Sequence, residues 1–301
     1  MLLVLVLFLA GCGSTTALSA PPGVPKTECR TVTIAVNPWV GYGANVAVVR
    51  YLLERELGCT VIEKELTEVE SWQGIAAGSV DVILENWGHD DLKKRYIDDR
   101  KVAVELGLTG NKGIIGWYVP PWLAAAHPDI TNWRNLNKYA GLLQGTFLDG
   151  DPSFVTNDVA LMKNLKLDLT VKYTGSEDKL ISAFRAAEAN RTPLIGYFYE
   201  PQWLLSEVDL VRVPLPRYKP GCDADPKAVA CDYQPYDLDK IGRKKFVDSG
   251  SPAASLIKNF TWTNADQNAV ARDITVGKVP PDQAAKRWLD THPAVWKRWL
   301  I

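Results

Sequence analysis

The sequence has few of the residues, and none of the motifs, that hydrolases and metal-dependent enzymes use. It contains three histidines, His89, His127 and His292, which are scattered along the chain. No Gly-x-Ser-x-Gly, His-Glu-x-x-His or glycine-rich phosphate loop occurs, and no Cys-x-x-Cys pair is present. These absences argue against an enzyme of those classes and against a zinc site, and we expect no metal and no cofactor.

The chain also lacks an excess of charge of either sign. Its 34 Lys and Arg residues are balanced by 35 Asp and Glu residues, which leaves a net charge of -1 over 301 residues. Proteins that bind nucleic acids or anionic membranes present basic surfaces, so we expect no nucleic-acid partner. Tryptophan, by contrast, is abundant, and the eleven copies fit either a large core or an aromatic binding surface.

Long apolar runs are missing except near the N-terminus. Residues 2–10 form an apolar run that is too short to span a bilayer but suits the central region of a signal peptide. The run leads into Leu9-Ala10-Gly11-Cys12, which resembles the bacterial lipoprotein signal, where cleavage precedes a cysteine that is then acylated. We expect residues 1–11 to be a lipoprotein signal peptide and residues 12–28 to be a flexible tether, anchored to the cell membrane by lipid on Cys12.

Four cysteines follow Cys12, and they indicate an oxidising compartment outside the cytoplasm. Four cysteines allow three pairings. Cys29 and Cys59 each precede a strand-like run, which places them at the same end of two neighbouring parallel strands. Cys222 and Cys231 flank a short polar loop. We therefore favour the disulfides Cys29–Cys59 and Cys222–Cys231 over the other two pairings.

Strand-like and helix-like patterns alternate at the start of the mature chain. They comprise a strand at 31–36, a helix at 44–57, a strand from 60, a helix at 70–77 and a buried strand at 80–84. This order predicts a parallel sheet with right-handed crossovers. Trp39 follows the first strand and Trp87 follows the third. Because open α/β sheets bind ligands at the carboxyl ends of their strands, we expect both tryptophans to face one crevice.

The middle of the chain predicts a second, smaller α/β unit. Residues 113–119 form a strand pattern that leaves the first unit, and residues 177–190 are amphipathic with helical spacing. A buried strand pattern at 193–199 ends in aromatic residues. Residues 210–215 are expected to bring the chain back, and the remainder up to the C-terminus is mostly helical beyond a loop at 219–236.

Several of these segments together resemble a known family. They are Asn37-Pro38-Trp39, the strand that ends in Asn86-Trp87, the turn Asp149-Gly150-Asp151-Pro152, residues 196–203 and the Trp-rich closing helices. They resemble the substrate-binding proteins of ABC importers for glycine betaine, proline betaine, carnitine and choline. The resemblance implies an α/β, periplasmic-binding-protein-like (type II) fold, in which two crossover strands join two α/β lobes around a ligand cleft. We expect lobe I to comprise 29–116 and 212–301, and lobe II 117–211.

Members of that family hold the quaternary ammonium group of the ligand in a box of aromatic rings. By motif position, the resemblance implies that Trp39 and Trp87 contribute from lobe I and that Tyr199 and Phe154 contribute from lobe II. A trimethylammonium group has no N–H to donate, and its diffuse positive charge is attracted to aromatic faces. Three further aromatic candidates, weaker by position, are Trp117, Tyr197 and Trp203.

Two alternatives remain open for the other end of the ligand. The carboxylate of a betaine suits backbone N–H groups at a helix N-terminus, which Gly41, Tyr42 and Gly43 can supply. The loops at the motif positions are acidic instead, since they carry Glu85, Asp149, Asp151 and Glu200. If such acids face the cleft, they would favour a net cation such as choline. Asp149 is the one of these four that we name as a candidate ligand-binding residue. The family resemblance inclines the prediction slightly towards a betaine.

These observations predict an extracytoplasmic, lipid-anchored, monomeric protein that binds a quaternary ammonium compound and delivers it to the permease subunits of an ABC transporter. The alternatives are a receptor of the same fold for an amino acid or a sulfonate, an extracytoplasmic enzyme such as a hydrolase, and a surface lipoprotein that binds another protein. A receptor for an anionic solute would place an arginine in the cleft, and no arginine stands at the motif positions.

Overall fold

One mixed β-sheet organises the chain. The computed structural model describes residues 29–301. The strands in this range are β1 (Thr31–Val36), β2 (Thr60–Glu65), β3 (Val82–Asn86), β4 (Ala103–Val119), β5 (Thr146–Asp149), β6 (Thr170–Tyr173), β7 (Gly196–Glu200), β8 (Val211–Val213) and β9 (Tyr236–Arg243). Their order across the sheet is β2-β1-β3-β9-β4-β7-β5-β6, and β8 pairs with β4.

Helices connect most of the strands. The α-helices in the described range are α1 (Val40–Arg55), α2 (Glu68–Ala77), α3 (Asp90–Lys93), α4 (Pro121–Ala126), α5 (Asp158–Asn164), α6 (Glu177–Asn190), α7 (Lys244–Val247), α8 (Pro252–Asn259), α9 (Asn264–Thr275), α10 (Pro281–Thr291) and α11 (Pro293–Trp296). A π-helical segment covers Lys94–Asp99, and short 3-10 segments cover Pro128–Thr131, Trp133–Tyr139, Trp203–Ser206 and Lys297–Leu300. None of the described helices is long and apolar enough to cross a bilayer.

The long strand β4 joins two halves of the sheet. Its first part pairs antiparallel with β9, and its last residues pair antiparallel with β7 and β8. On one side lie the parallel neighbours β2, β1 and β3, as the strand–helix alternation predicts; on the other, β5 is parallel to β6 and β7. β4 begins at Ala103 rather than at the predicted residue 113, so one continuous strand passes from the first half into the second.

Strand β9 is the element that the sequence pattern does not reveal. It buries two charged side chains, Asp239 and Lys240, which are 5% and 0% exposed. Asp239 pairs with Lys93, whose Nζ lies 2.6 Å from its carboxylate. Lys240 donates to the backbone carbonyls of Lys258, at 3.0 Å, and Phe260, at the C-terminal end of α8. Since each charge finds a partner from a distant part of the chain, local hydropathy gives no sign of this strand.

Both predicted disulfides are present. Cys29 and Cys59 lie directly before β1 and β2, and because Thr31 pairs with Thr60 in parallel register, their Cα atoms are 4.8 Å apart. Cys222–Cys231 closes the loop between β8 and β9. The predicted signal peptide, the lipidation site Cys12 and the tether lie outside the described residues.

The first turn of α1 begins four residues earlier than the spacing predicts, at Val40 instead of residue 44. Trp39 is the N-cap residue, so its side chain leaves the backbone where β1 has ended and the helix has not yet begun. A Cβ atom on Gly41 would lie 2.5 Å from Nε2 of Gln267, so a larger residue there would displace the end of that side chain.

Candidate functional site

Five aromatic side chains from both halves of the sheet line one pocket. They are Trp39 after β1, Trp87 after β3, Phe154 in the loop after β5, and Tyr197 and Tyr199 of β7. All five are buried, at 3–7% exposure. Together with Glu68, Ile115 and Val155 they line a cavity of about 20 Å³. A cavity of this size has room for about one water molecule, so the rings are closed on one another and must move apart to admit a solute.

The rings of the two halves meet at right angles. The centroids of Trp39 and Phe154 are 5.8 Å apart with an interplanar angle of 90°. Trp87 and Tyr199 repeat this geometry at 5.7 Å and 90°. Edge-to-face contacts match the positive edge of one ring to the negative face of the other. Each pair joins one ring from either side of β4, so the pocket is assembled only when both halves are in contact.

Glu85, a residue of β3, orients the two tryptophans. Its Oε1 atom accepts hydrogen bonds from Nε1 of Trp39 and Nε1 of Trp87, both at 2.8 Å. Its Oε2 atom accepts from Nδ2 of Asn45 at 2.5 Å and from Nε2 of Gln267 at 2.9 Å. Burial raises the pKa of Glu85 to about 7, although these four hydrogen bonds oppose the shift. Glu85 therefore supports the pocket from behind and does not line it.

The ring of Trp87 lies flat against β4 because the strand carries a glycine at that point. A Cβ atom on Gly113 would come within 2.7 Å of Cζ3 of Trp87 and 2.9 Å of Cδ2 of Leu238. Either contact is too short for carbon atoms, so a larger residue would displace the indole. Ile115, two residues further along β4, then lines the pocket beside the ring.

Asp149 lies beneath the loop that carries Phe154. Its Oδ1 accepts from the backbone N–H of Gly150 at 2.6 Å, and its Oδ2 accepts from Oγ1 of Thr156 at 3.0 Å. The side chain is fully buried and does not line the pocket. In this arrangement Asp149 holds the backbone on which Phe154 is presented, and its predicted contact with a ligand stays a prediction.

A second buried aspartate, Asp158, completes this support. Its Oδ1 accepts from Nε1 of Trp117 and from the hydroxyl of Tyr233, both at 2.7 Å. Burial, followed by repulsion from Asp149, raises the pKa of Asp158, and burial likewise raises the pKa of Asp149. Trp117 is wholly buried and packs on Phe147 at 4.8 Å. It packs in the core and is not among the residues that line the pocket.

The N-terminus of α1 already has an anionic partner. The backbone N–H of Val40 donates to Oε2 of Glu177 at 2.7 Å, across the two halves of the sheet. Oε1 of the same carboxylate accepts from Nε2 of Gln202 at 2.8 Å and from the hydroxyl of Tyr199. An internal carboxylate thus accepts the first N–H of α1, and the predicted role of the N–H groups of Gly41, Tyr42 and Gly43 towards a ligand carboxylate stays a prediction.

The other residues near that helix end also lie off the pocket lining. Gly41 and Gly43 are inside the first turn of α1. Tyr42 packs edge-on against Trp39 at 5.4 Å, and its hydroxyl accepts from the backbone N–H of Leu84 at 2.9 Å. Trp203 is 1% exposed and packs in the second half of the sheet.

Sequence reasoning missed Glu68, which lines the pocket at 5% exposure. The overlooked signal is a capping box: the Thr67 side chain accepts from the N–H of Glu70, and the Glu70 side chain accepts from the N–H of Thr67. That motif starts α2 at Glu68 and not at residue 70. Glu68 therefore projects from the first turn of a helix at the carboxyl edge of the sheet.

Comparison with known proteins agrees with this arrangement. The family model OpuAC, described as the substrate binding domain of the ABC-type glycine betaine transport system, matches residues 30–291. The chain belongs to this family. The description of this family is that of a solute-binding domain of an importer and not that of an enzyme.

A solved OpuAC structure confirms the fold class. The closed, liganded form of lactococcal OpuAC in complex with glycine betaine superposes with a TM-score of 0.73 at 22% identity, covering 90% of this chain and 100% of that chain. The α/β, periplasmic-binding-protein-like architecture expected from the sequence is therefore confirmed.

Two curated relatives of the OpuAC-family chain align over shorter stretches. One is the glycine betaine/carnitine transport binding protein GbuC of Listeria monocytogenes, 25% identical over 126 residues, which are 42% of this chain and 38% of that protein. The other is the trimethylamine N-oxide-binding protein of Pelagibacter ubique, 27% identical over 183 residues, 59% of this chain and 57% of that one. The aligned region spans about half, or less, of each relative's length.

Proposed function

We propose that this chain is an extracytoplasmic solute-binding lipoprotein that captures a quaternary ammonium compound in the aromatic pocket and delivers it to the permease of an ABC importer. Glycine betaine, choline and carnitine are the candidate ligands. The observation that carries the proposal is the convergence of the five rings from both halves of the sheet on one small buried space. Membership of the OpuAC family supports it.

The chemistry of the pocket suits a quaternary ammonium group. Each aromatic face contributes about 0.5–2 kcal/mol to the binding of a desolvated cation. Micromolar affinity requires about 8 kcal/mol. Four or five rings, together with burial of the methyl groups against Ile115 and Val155, supply a free energy of that order.

An anionic or amino-acid solute fits the lining less well. A sulfonate or a carboxylate in a buried site needs a basic partner, and arginine is the usual one. Among the described residues that line the pocket, none is Lys or Arg. The lining therefore favours a cationic ligand over an anionic ligand, which would need a basic side chain as its partner.

We further propose that the halves of the sheet act as two lobes that close on the ligand, lobe I from 29–116 and 212–301 and lobe II from 117–211. The pairs Trp39–Phe154 and Trp87–Tyr199 connect these segments directly. Ligand bound between the rings would stabilise the closed arrangement, which a permease can recognise. A monomer suffices, because one chain provides every ring.

Titration calorimetry and tryptophan fluorescence test the proposal on the purified protein. We expect saturable binding of glycine betaine, choline or carnitine, and a loss of about tenfold or more in Trp87→Ala. Trp133→Phe is the matched control, because it removes a tryptophan that is stacked by Arg134, outside the pocket. Folded protein that binds no quaternary ammonium compound would refute the proposal.

The lipid anchor is tested separately, in cells. We expect the wild-type protein in the membrane fraction, with the mass of a lipid on Cys12. The Cys12→Ala variant should not be acylated and should be lost from the membrane fraction on washing, unless uncleaved signal peptide retains it. Unmodified Cys12 in mature wild-type protein would rule out the anchor and leave solute binding untouched.

A further inference from the structure

Glu68 presents an unused acceptor to the pocket. Its side chain is 5% exposed and lines the space between the rings. Its Oε1 atom is buried and has no hydrogen-bond partner among the described residues. His89 Nε2 lies 3.2 Å away and pairs with this oxygen when the imidazole is protonated, although the contact lacks the geometry of a hydrogen bond. The oxygen keeps the capacity to accept a hydrogen bond, and because Glu68 lines the cavity, a bound ligand can supply the donor.

The helix ends near the pocket do not offer a site for a ligand carboxylate. At α1, Glu177 already accepts the hydrogen bond of the Val40 N–H. At α2, Glu68 is itself the first helical residue, and its charge would repel a second carboxylate. An internal carboxylate thus already stands at each of these two helix N-termini, which makes a second anion there unfavourable.

Apart from His89, which pairs with Glu68, the ionisable side chains closest to the rings are acidic. Besides Glu68, the carboxylates of Glu85 and Glu177 lie directly behind Trp39, Trp87 and Tyr199. No Lys or Arg is among the described lining residues. The Glu68 carboxylate suits a ligand that carries a hydrogen-bond donor. The acidic side chains around the rings suit a ligand that is positively charged overall.

We propose that Glu68 accepts a hydrogen bond from the hydroxyl of a cationic quaternary ammonium alcohol, so that the site prefers choline to zwitterionic betaine. This inference rests on the proposed function and specifies its substrate class. The aromatic rings hold the trimethylammonium group. Glu68 contacts the other end of the ligand and favours a hydroxyl there over a carboxylate. A betaine fills the same rings but directs its carboxylate towards Glu68.

Calorimetry with four probes tests this selection: choline, glycine betaine, trimethylamine N-oxide and tetramethylammonium. In the wild-type protein we expect choline to bind about tenfold or more tightly than glycine betaine, because a hydrogen bond to a buried charge is strong. In Glu68→Gln we expect choline to lose about tenfold in affinity. Tetramethylammonium, which has no hydroxyl, should lose less, and glycine betaine should lose nothing.

Glu65→Gln is the matched control, since it removes the same charge from an exposed position at the end of β2. It should leave all four affinities unchanged, and thermal unfolding reports whether each variant is folded. Equal or tighter binding of glycine betaine by the wild-type protein overturns the inference even if Glu68→Gln does not fold. So does an equal loss for every probe in a folded Glu68→Gln. Failure of all four probes to bind refutes the proposed function instead.

Discussion

The indole N–H groups of Trp39 and Trp87 converge on one atom, Oε1 of Glu85, at 2.8 Å each. The two tryptophans stand at the carboxyl ends of β1 and β3, which are neighbours in the sheet. A single carboxylate between them thus sets the angle of both rings. Because Glu85 is fully buried, neither indole has water as an alternative partner.

Removal of this carboxylate should therefore disturb both rings at once. We expect Glu85→Ala to lower the free energy of unfolding by about 1–3 kcal/mol, because two buried donors lose their acceptor. Ligand affinity should fall by about tenfold or more as the rings lose their orientation. Calorimetry and urea unfolding measure the two effects. Glu85→Gln keeps one acceptor oxygen and should lose less; unchanged affinity in Glu85→Ala would contradict the role of Glu85 in orienting the rings.

Glu177 is predicted to hold the halves of the sheet together. It accepts from the Val40 N–H in the first half and from Tyr199 and Gln202 in the second. In Glu177→Ala the ligand-free protein should open, with a larger radius of gyration in small-angle scattering, and ligand affinity should fall by about tenfold. Asp178→Ala, an exposed neighbour in the same helical turn, serves as the control. An identical scattering profile for Glu177→Ala and wild type would contradict the prediction that Glu177 holds the two halves together.

The buried pair Asp149 and Asp158 predicts a pH dependence of stability. The pKa of each is raised, chiefly by burial, so the folded state retains a proton that the unfolded state releases. The contribution of such a group is complete below the ordinary aspartate pKa of 3.8 and is lost as the pH rises towards the folded-state value. From this pair alone, the free energy of unfolding should decrease between about pH 4 and neutrality.

Asp158→Asn isolates that contribution, because an amide does not ionise. Urea unfolding at pH 5 and pH 8 should show a smaller decrease for the variant than for the wild type. Other groups cancel in this comparison: Glu85 has its pKa raised to about 7, and Lys240 has its pKa lowered to about 7 by burial, in both proteins. The same pH profile in both proteins would mean that the pair does not hold a proton in the folded state.

The two disulfides should differ in their contribution to stability. Cys29–Cys59 closes a loop with a sequence separation of 30, and Cys222–Cys231 one of 9. Loop-closure entropy assigns roughly 3–4 kcal/mol to the longer loop and roughly 2–3 kcal/mol to the shorter. Urea unfolding of the double serine variants should therefore show a larger loss for Cys29→Ser/Cys59→Ser. A larger loss for the other pair would show that strain or native contacts outweigh chain entropy.

Some features of the fold follow from local pattern. The alternation of strands and helices predicts the parallel order β2-β1-β3, which in turn places Cys29 beside Cys59 and Trp39 near Trp87. These features depend only on neighbouring elements and on the handedness of their connections. The family motifs then point to Phe154 and Tyr199 in the second half of the sheet, and the structure brings both to the same pocket.

The acidic residues divide differently. Glu85, Asp149 and Glu200 stand out in the sequence because they fall in the family motifs, yet none of them lines the pocket. Glu68 and Glu177 do not stand out, since acids in the first turn of a helix are ordinary. Which carboxylate supports a ring, which bridges the halves and which faces the ligand depends on contacts between residues far apart in the chain.

The sequence by itself determined the α/β order of the first strands and the aromatic residues at the strand ends, which follow from periodicity, turn chemistry and distinctive side-chain types. Its motifs indicated the family by resemblance, and it favoured the disulfide pairs that the structure contains. Only the tertiary structure decided the roles of the buried charges: Lys240 in β9, Glu85 between the indoles and Glu68 at the pocket. The reason is physical, because a buried charge is tolerated only where distant groups pair with it, and such groups meet only in the folded chain.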